Sequence, residues 1–142
     1  MYTDLYKNFI STDDTLHIYD GDKLVFSSKK ERLLPLIEYI TNVGAARNPV
    51  TIFDRVMGNA AALLSVKANS REVFSPLGSE IAINTLDKYE IAYHLAETVP
   101  FILRPDGVRM CPMEELSIGK EPDEFYLELL ARIEASRPAD SC

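Results

Sequence analysis

The stretch "PVTIFDRVMGNAAALLSVKANSREVFS", from Pro49 to Ser75, decides the fold of this chain. It begins with a β-branched, apolar run typical of a buried strand, continues through an alanine-rich run that predicts a helix, and ends in a second strand. Because a helix is the usual crossover between parallel strands, the stretch predicts one β-α-β unit of a parallel sheet.

The same alternation extends in both directions from this unit. Upstream, apolar residues alternate around Asp20 and Gly21, the pair that a tight hairpin turn favours. Helices are predicted near residues 3–10, 28–43, 76–90, 111–119 and 121–135, and a further strand near 91–103. We therefore predict an α/β fold: a three-layer sandwich with a five-stranded mixed sheet, in which an N-terminal hairpin precedes parallel strands joined by crossover helices.

Length and charge limit the classes of function. The chain has 142 residues, which predicts one domain over residues 1–137 and a flexible tail over 138–142. Its net charge of −7 argues against sequence-independent nucleic-acid binding. We see no membrane span and no secretory signal, so we expect a cytoplasmic protein without a membrane partner. The two cysteines, Cys111 and Cys142, are far apart, and we expect free thiols.

Candidate binding residues follow two predicted strands. In an open parallel sheet, ligands bind outside the carboxyl ends of the strands, where helices begin. The segments "FDRVMGNA" and "FSPLGSE" are expected to meet at such a crevice. The predicted ligand-binding residues are Asp54, Arg55, Gly58, Asn59, Ser75, Gly78, Ser79 and Glu80.

The residue types in the second turn, "SPLGSE", are compatible with a phosphate or carboxylate ligand. Gly78 would let the backbone approach a ligand closely, Ser75 or Ser79 can cap the next helix, and free N–H groups at a helix start attract anions. A purely structural interpretation is equally open, because Gly58 could simply make a turn and Asn59 could simply cap a helix.

The strings "DRVMGNAAALL", "EVFSPLGSEIAINTL", "ETVPFILRPDG" and "CPMEELSIGKEPDEFY" resemble a prokaryotic family of uncharacterised small proteins with a cytidine-deaminase-like fold. The resemblance runs from Leu16 to about Leu130 and implies a five-stranded mixed sheet between helices, without an established activity. Zinc deaminases of that fold carry a His or Cys with a nearby Glu on one helix and Pro-Cys-x-x-Cys at the start of another.

No zinc ligand set is found in either alignment of those motifs. If "SPLGSE" is the second motif, Leu77 and Glu80 replace the cysteines, and "GNAAA" supplies no ligand. If "SSKKER" and "VMGNAA" are the two motifs, neither contains a thiol. We therefore expect no metal, no other cofactor and no zinc-dependent deamination.

Cys111 is the candidate for a catalytic residue. It precedes Pro112 at a predicted helix start, where a thiol pKa is lowered, and only His17 or His94 could supply a base. A buried structural role for Cys111 is the alternative.

Three functions follow from these residues. The first is a metal-free module that binds or senses a nucleotide-like or other anionic small molecule. The second is a metal-free enzyme that uses Cys111, or Asp54 and Glu80 as acid and base. The third is a protein-interaction module, most simply a homodimer that packs helices or joins sheet edges.

Overall fold

A computed structural model describes residues 2–43 and 48–134, which form an α/β domain of six helices and a six-stranded sheet. The predicted tail over 138–142 lies outside the described residues. The helices are α1 (Tyr2–Ser11), α2 (Leu34–Val43), α3 (Asn59–Lys67), α4 (Glu80–Lys88), α5 (Pro112–Ser117) and α6 (Pro122–Glu134). The strands are β1 (Leu16–Asp20), β2 (Lys23–Ser28), β3 (Val50–Asp54), β4 (Val56–Met57), β5 (Ser70–Ser79) and β6 (Ala92–Val99).

The sheet is mixed, as the sequence predicts. β1 pairs antiparallel with both β2 and β3, whereas β3, β4 and β6 all pair parallel with β5. Leu77 of β5 pairs with Val56 on one side and with Glu97 on the other. Strand β4 therefore continues the line of β3, and β6 forms the opposite side of β5.

The predicted count of five strands is one too low, because the strand that begins at Val50 is interrupted. The chain leaves the sheet at Arg55 and returns for the two residues Val56 and Met57. The carboxyl group of Asp54 accepts a hydrogen bond from the Arg55 N–H at 2.8 Å, which stabilises the bend.

Strand β5 is longer than the sequence indicates. We predicted a helix from Pro76, but the strand continues to Ser79 and the helix begins at Glu80. Pairing with β3 ends at Phe74, and pairing with β4 begins at Leu77. Pro76 therefore lies opposite the interruption at Arg55. On that side β5 has no neighbouring strand to which it would donate an N–H. A proline is tolerated in this central strand for that reason.

Alternate residues of the strands pack into two separate layers. Ile18, Ile52 and Val73 belong to the main core, which helices α2 to α6 complete. Their neighbours Tyr19, Phe53 and Phe74 face the other way and pack beneath α1. The period of two along each strand thus separates the layers, and α1 forms the third layer of the sandwich.

Candidate functional site

The carboxyl ends of β4, β5 and β6 lie together at one edge of the sheet. These strands end at Met57, Ser79 and Val99, and helices α3 and α4 begin directly after the first two. Parallel α/β proteins bind ligands at this kind of edge. The predicted site residues were all expected at this edge.

A buried carboxylate occupies the N-terminus of α3. Glu114 of α5 is only 1% exposed. Its Oε1 accepts a hydrogen bond from the Asn59 N–H at 2.5 Å, and its Oε2 accepts one from the Ile102 N–H at 2.8 Å. A Cβ atom on Gly58 would lie 3.1 Å from Oε1. The N-terminus of α3 therefore already has an internal carboxylate as its acceptor.

Asn59 uses its side chain to join three helices. Its Nδ2 donates to the carbonyl oxygen and the hydroxyl of Ser117, at 3.3 Å and 3.0 Å, and its Oδ1 accepts a hydrogen bond from the Thr85 hydroxyl. Asn59 is 3% exposed. The N-cap of α3 is Gly58 and no side chain caps the helix, so the capping role predicted for Asn59 is wrong. Its amide oxygen and nitrogen are instead bonded to α4 and α5.

The guanidinium group of Arg55 is directed towards α1. Its Nη2 donates to the carbonyl oxygens of Phe9 at 3.1 Å and Thr12 at 2.7 Å, and its Nε donates to that of Asp14 at 3.0 Å. Its Cζ atom lies 4.3 Å from the centroid of the Phe9 ring. Arg55 thus binds one carbonyl group in the last turn of α1 and two in the segment that follows the helix, where a cation also complements the helix dipole.

Asp54 is a buried acid with a strongly shifted pKa. Burial raises the pKa of its carboxyl group from 3.8 to about 7, although hydrogen bonds from the Arg55 and Val56 N–H groups and the charge of Arg55 act in the opposite direction. A carboxyl group with a pKa near neutrality can donate or accept a proton under ordinary conditions. Asp54 is therefore chemically suited to acid–base work.

The two serines of the second segment are completely buried. The Ser75 hydroxyl donates to the Leu77 carbonyl oxygen at 2.9 Å. The Ser79 hydroxyl accepts from the Ala82 N–H at 3.0 Å and caps α4, in agreement with the capping role predicted for it. Both hydroxyl groups are used within the chain.

Gly78 and Glu80 differ sharply in their surroundings. A Cβ atom at Gly78 would lie 2.5 Å from a methyl group of Leu95, so this glycine permits close approach of β6. Glu80 is exposed at the first turn of α4. Ligand binding by the predicted residues stays a prediction, and most of their polar groups are bonded internally.

Sequence reasoning missed an apolar groove at this edge. It has a volume of about 320 Å³ and lies between the ends of β4, β5 and β6 and the segment that follows β6. The lining residues are Val56, Leu77, Val99, Phe101, Ile102, Leu103 and Pro105. The run "VPFILRP" was the available signal, because its apolar residues continue beyond the end of the strand. This groove is an open concavity beside the predicted site.

Arg104, which has a buried nitrogen without a hydrogen-bond partner, lies between two groove residues in the chain. Arg104 is flanked by Leu103 and Pro105, both of which line the groove. Its Nε is buried and has no hydrogen-bond partner in the described part of the chain. A buried donor without a partner is costly, and Arg104 itself is not among the residues that line the groove.

Cys111 does not match the expectation of a free thiol. It is 2% exposed and disulfide-bonded. Among the candidate bases, His17 is buried and its Nε2 lies 2.7 Å from Asp14, while His94 Nε2 lies 2.6 Å from Glu72. The two imidazoles are thus each paired with a carboxylate.

Over residues 2–43 and 48–134, no three His, Cys, Asp or Glu side chains are grouped as metal ligands would be. Within the same ranges, none of the helices has the length and apolar character needed to cross a membrane.

Comparison with known proteins gives a family without an assigned activity. A crystal structure of a DUF1893 family protein (TM1506) from Thermotoga maritima superposes with a TM-score of 0.83 at 26% identity, covering 92% of this chain and 88% of that one. No curated protein matches. The model of the TM1506 family, a domain of unknown function (DUF1893), matches residues 5–132. The chain therefore belongs to the DUF1893 family.

Proposed function

We propose that this protein is a small-molecule-binding module whose ligand occupies the apolar groove at the carboxyl edge of the sheet. The groove is the observation that carries the proposal. Its volume of about 320 Å³ is within the range of ligand sites, and its position is the one that open α/β sheets use for ligands.

The lining determines the chemistry of the ligand. The groove residues are all apolar, so they would bind a hydrophobic body rather than a chain of phosphates. The positive charge of Arg104, which lies between two groove residues in the chain, supports an anionic group on the same molecule. We therefore narrow the ligand class from nucleotide-like or anionic compounds to amphipathic anions, such as a carboxylate or monophosphate on an apolar skeleton.

We also propose that the scaffold is related to the cytidine-deaminase-like fold. The order of the layers and the parallel strands with crossover helices support this relationship. The sequence contains none of the Cys and His residues at the aligned zinc motifs, so the proposed function does not involve zinc-dependent deamination.

A second candidate function is metal-free acid–base catalysis, which the pKa of Asp54 favours. The carboxyl group of Asp54 accepts a hydrogen bond from the N–H of Val56, and Val56 lines the groove. The Asp54 carboxyl group is thus linked to the wall of the groove through the backbone of Val56. Chemical conversion of a bound compound, lost in Asp54→Asn, would distinguish an enzyme from a binding module.

A thermal-shift screen tests the binding proposal. The panel contains carboxylates and monophosphates with apolar skeletons, and each is matched with its uncharged analogue. A ligand present at roughly 100 times its dissociation constant should add about 2.7 kcal/mol of stability. We expect stabilisation by amphipathic anions, a smaller effect of their uncharged analogues, and a reduced effect in Arg104→Gln.

Leu103→Glu and Val108→Glu are the matched variants for the screen. Leu103 lines the groove and is 40% exposed, whereas Val108 is 77% exposed and lies outside it. Both substitutions put a carboxylate on the same surface segment. Equal ligand responses in the two variants, or no response from the wild type across the panel, would refute the proposed site.

A further inference from the structure

Strand β6 is a sheet edge without a ladder partner. It pairs with β5 on one side only, and in the described ranges no strand pairs with its other side. It extends over eight residues, Ala92–Val99, and most of its side chains are exposed. Its outward N–H and C=O groups are therefore available to another strand.

The opposite edge of the sheet has protective features that β6 does not share. Strand β2 begins with exposed Lys23, and its pairing with β1 has a register irregularity at Ile18 and Tyr19. Lysines and bulges are the usual devices that prevent edge-to-edge association. The sequence "AYHLAETV" of β6 has no lysine, arginine, proline or glycine.

We propose that β6 pairs antiparallel with β6 of a second copy of this chain, so that two sheets become one. This inference is independent of the groove proposed above. A two-fold axis perpendicular to the sheet places the same face of both copies on the same side of the combined sheet. Directly opposed residues must then have side chains on the same face, so their residue numbers are both odd or both even. Few registers meet this requirement and also pair most of the residues of the two β6 strands.

Charge and side-chain type select among those registers. A pairing centred on Glu97 would place two carboxylates opposite each other, and one centred on Ala96 would place Glu97 opposite Leu95. A pairing centred on Leu95 places this apolar residue opposite its own copy, and Tyr93 opposite Glu97. Apolar pairs and a phenol beside a carboxylate are favourable cross-strand contacts, whereas like charges are unfavourable.

The burial of the strand leaves room for a second copy at this edge. Tyr93 and Leu95 are only partly buried against the main core, so a second copy would complete their coverage. On the other face, the His94 ring stacks on Phe74 with centroids 4.2 Å apart. In this register the partner's Ala96 lies opposite His94, and its small side chain leaves room for the stacked ring.

Sedimentation equilibrium of the full chain tests the dimer. We expect the wild type to sediment at twice its 16.0 kDa monomer mass. Ala96→Lys should raise the dimer dissociation constant by about tenfold or more, because it places a charge on the paired edge. Val25→Lys is the matched control, since Val25 is an exposed apolar residue of the other edge strand.

Two results would overturn the dimer: a wild type that is monomeric at high micromolar concentration, or Val25→Lys that dissociates it as strongly as Ala96→Lys. If Ala96→Lys has a lower melting temperature than the wild type, Thr98→Lys on the same exposed strand replaces it. Both lysine variants are required to retain the wild-type circular dichroism spectrum.

Oxidative cross-linking tests the register. Directly opposed residues on paired strands are close enough for a disulfide. Leu95→Cys should therefore form a covalent dimer faster than Ala96→Cys, with the wild type as the control for the native cysteines. Faster cross-linking of Ala96→Cys contradicts the Leu95-centred register, and an absence of cross-linking in both variants contradicts β6 pairing.

Discussion

Glu114 joins three parts of the chain through one buried carboxylate. Its two oxygens accept hydrogen bonds from the N–H groups of Asn59 and Ile102. The first of these groups belongs to the start of α3 and the second to the segment that lines the groove. The side chain therefore fixes the position of the groove wall relative to the helix layer.

Glu114→Ala should lower the free energy of unfolding by about 3 kcal/mol, because it leaves two buried N–H donors without acceptors. Glu114→Gln should have an intermediate effect, since an amide oxygen can replace only one of the two acceptors. Urea denaturation provides the measurement. Glu115→Ala on the same helix is the control, because Glu115 is exposed. A loss in Glu114→Ala no larger than in Glu115→Ala would contradict the structural role.

Asp54 should make stability fall as the pH rises. The pKa of its carboxyl group rises from an ordinary 3.8, the value expected in the unfolded chain, to about 7 in the folded chain. Between these values the folded chain holds a proton that the unfolded chain has released. The contribution of Asp54 to the free energy of unfolding is therefore largest below pH 4. It decreases as the pH rises through 7, by an amount on the order of a few kcal/mol.

Asp54→Asn removes this contribution, and its free energy of unfolding should therefore vary less with pH than that of the wild type between pH 4 and 7. Urea denaturation of both proteins over a pH series makes the comparison. Parallel pH dependences in the two proteins would show that the Asp54 carboxyl is already ionised across this range.

At the scale of the secondary-structure elements, Arg55 is the main polar attachment of α1 to the sheet. Arg55→Ala should increase hydrogen exchange in the last turn of α1 by about tenfold or more relative to α6, because the Phe9 carbonyl oxygen and two carbonyl oxygens just after the helix lose a charged donor. Lys7→Ala is the control, since Lys7 is an exposed residue on the same helix. Unchanged exchange in Arg55→Ala, or an equal increase in Lys7→Ala, would contradict this assignment.

The type and order of the elements were predictable, whereas their ends were less so. The hairpin, the parallel β-α-β units and α1 all follow from residue periodicity, which is local information. The end of β5 does not, because Pro76 normally interrupts a central strand. It is tolerated here through the gap opposite it at Arg55, and that gap arises from tertiary pairing.

At the scale of the whole molecule, the sheet edge proposed for the site was predictable but its chemistry was not. The rule for parallel sheets indicated the carboxyl edge, where the groove lies. The polar residues assigned to it are bonded to distant partners: Asn59 to Glu114 and Ser117, and Arg55 to Phe9 of α1. Hydrogen bonds over such sequence separations leave no periodic signal, so an anion site and an internal network are indistinguishable before folding.

Fluorescence titration with anilinonaphthalene sulfonate tests the central claim, a groove that binds amphipathic anions, most directly. This probe combines an apolar body with an anionic group. We predict saturable binding to the native wild type, weakened by about tenfold or more in Leu103→Glu and unchanged in Val108→Glu. An absence of saturable binding, or equal binding to the two variants, would contradict a ligand site in the groove.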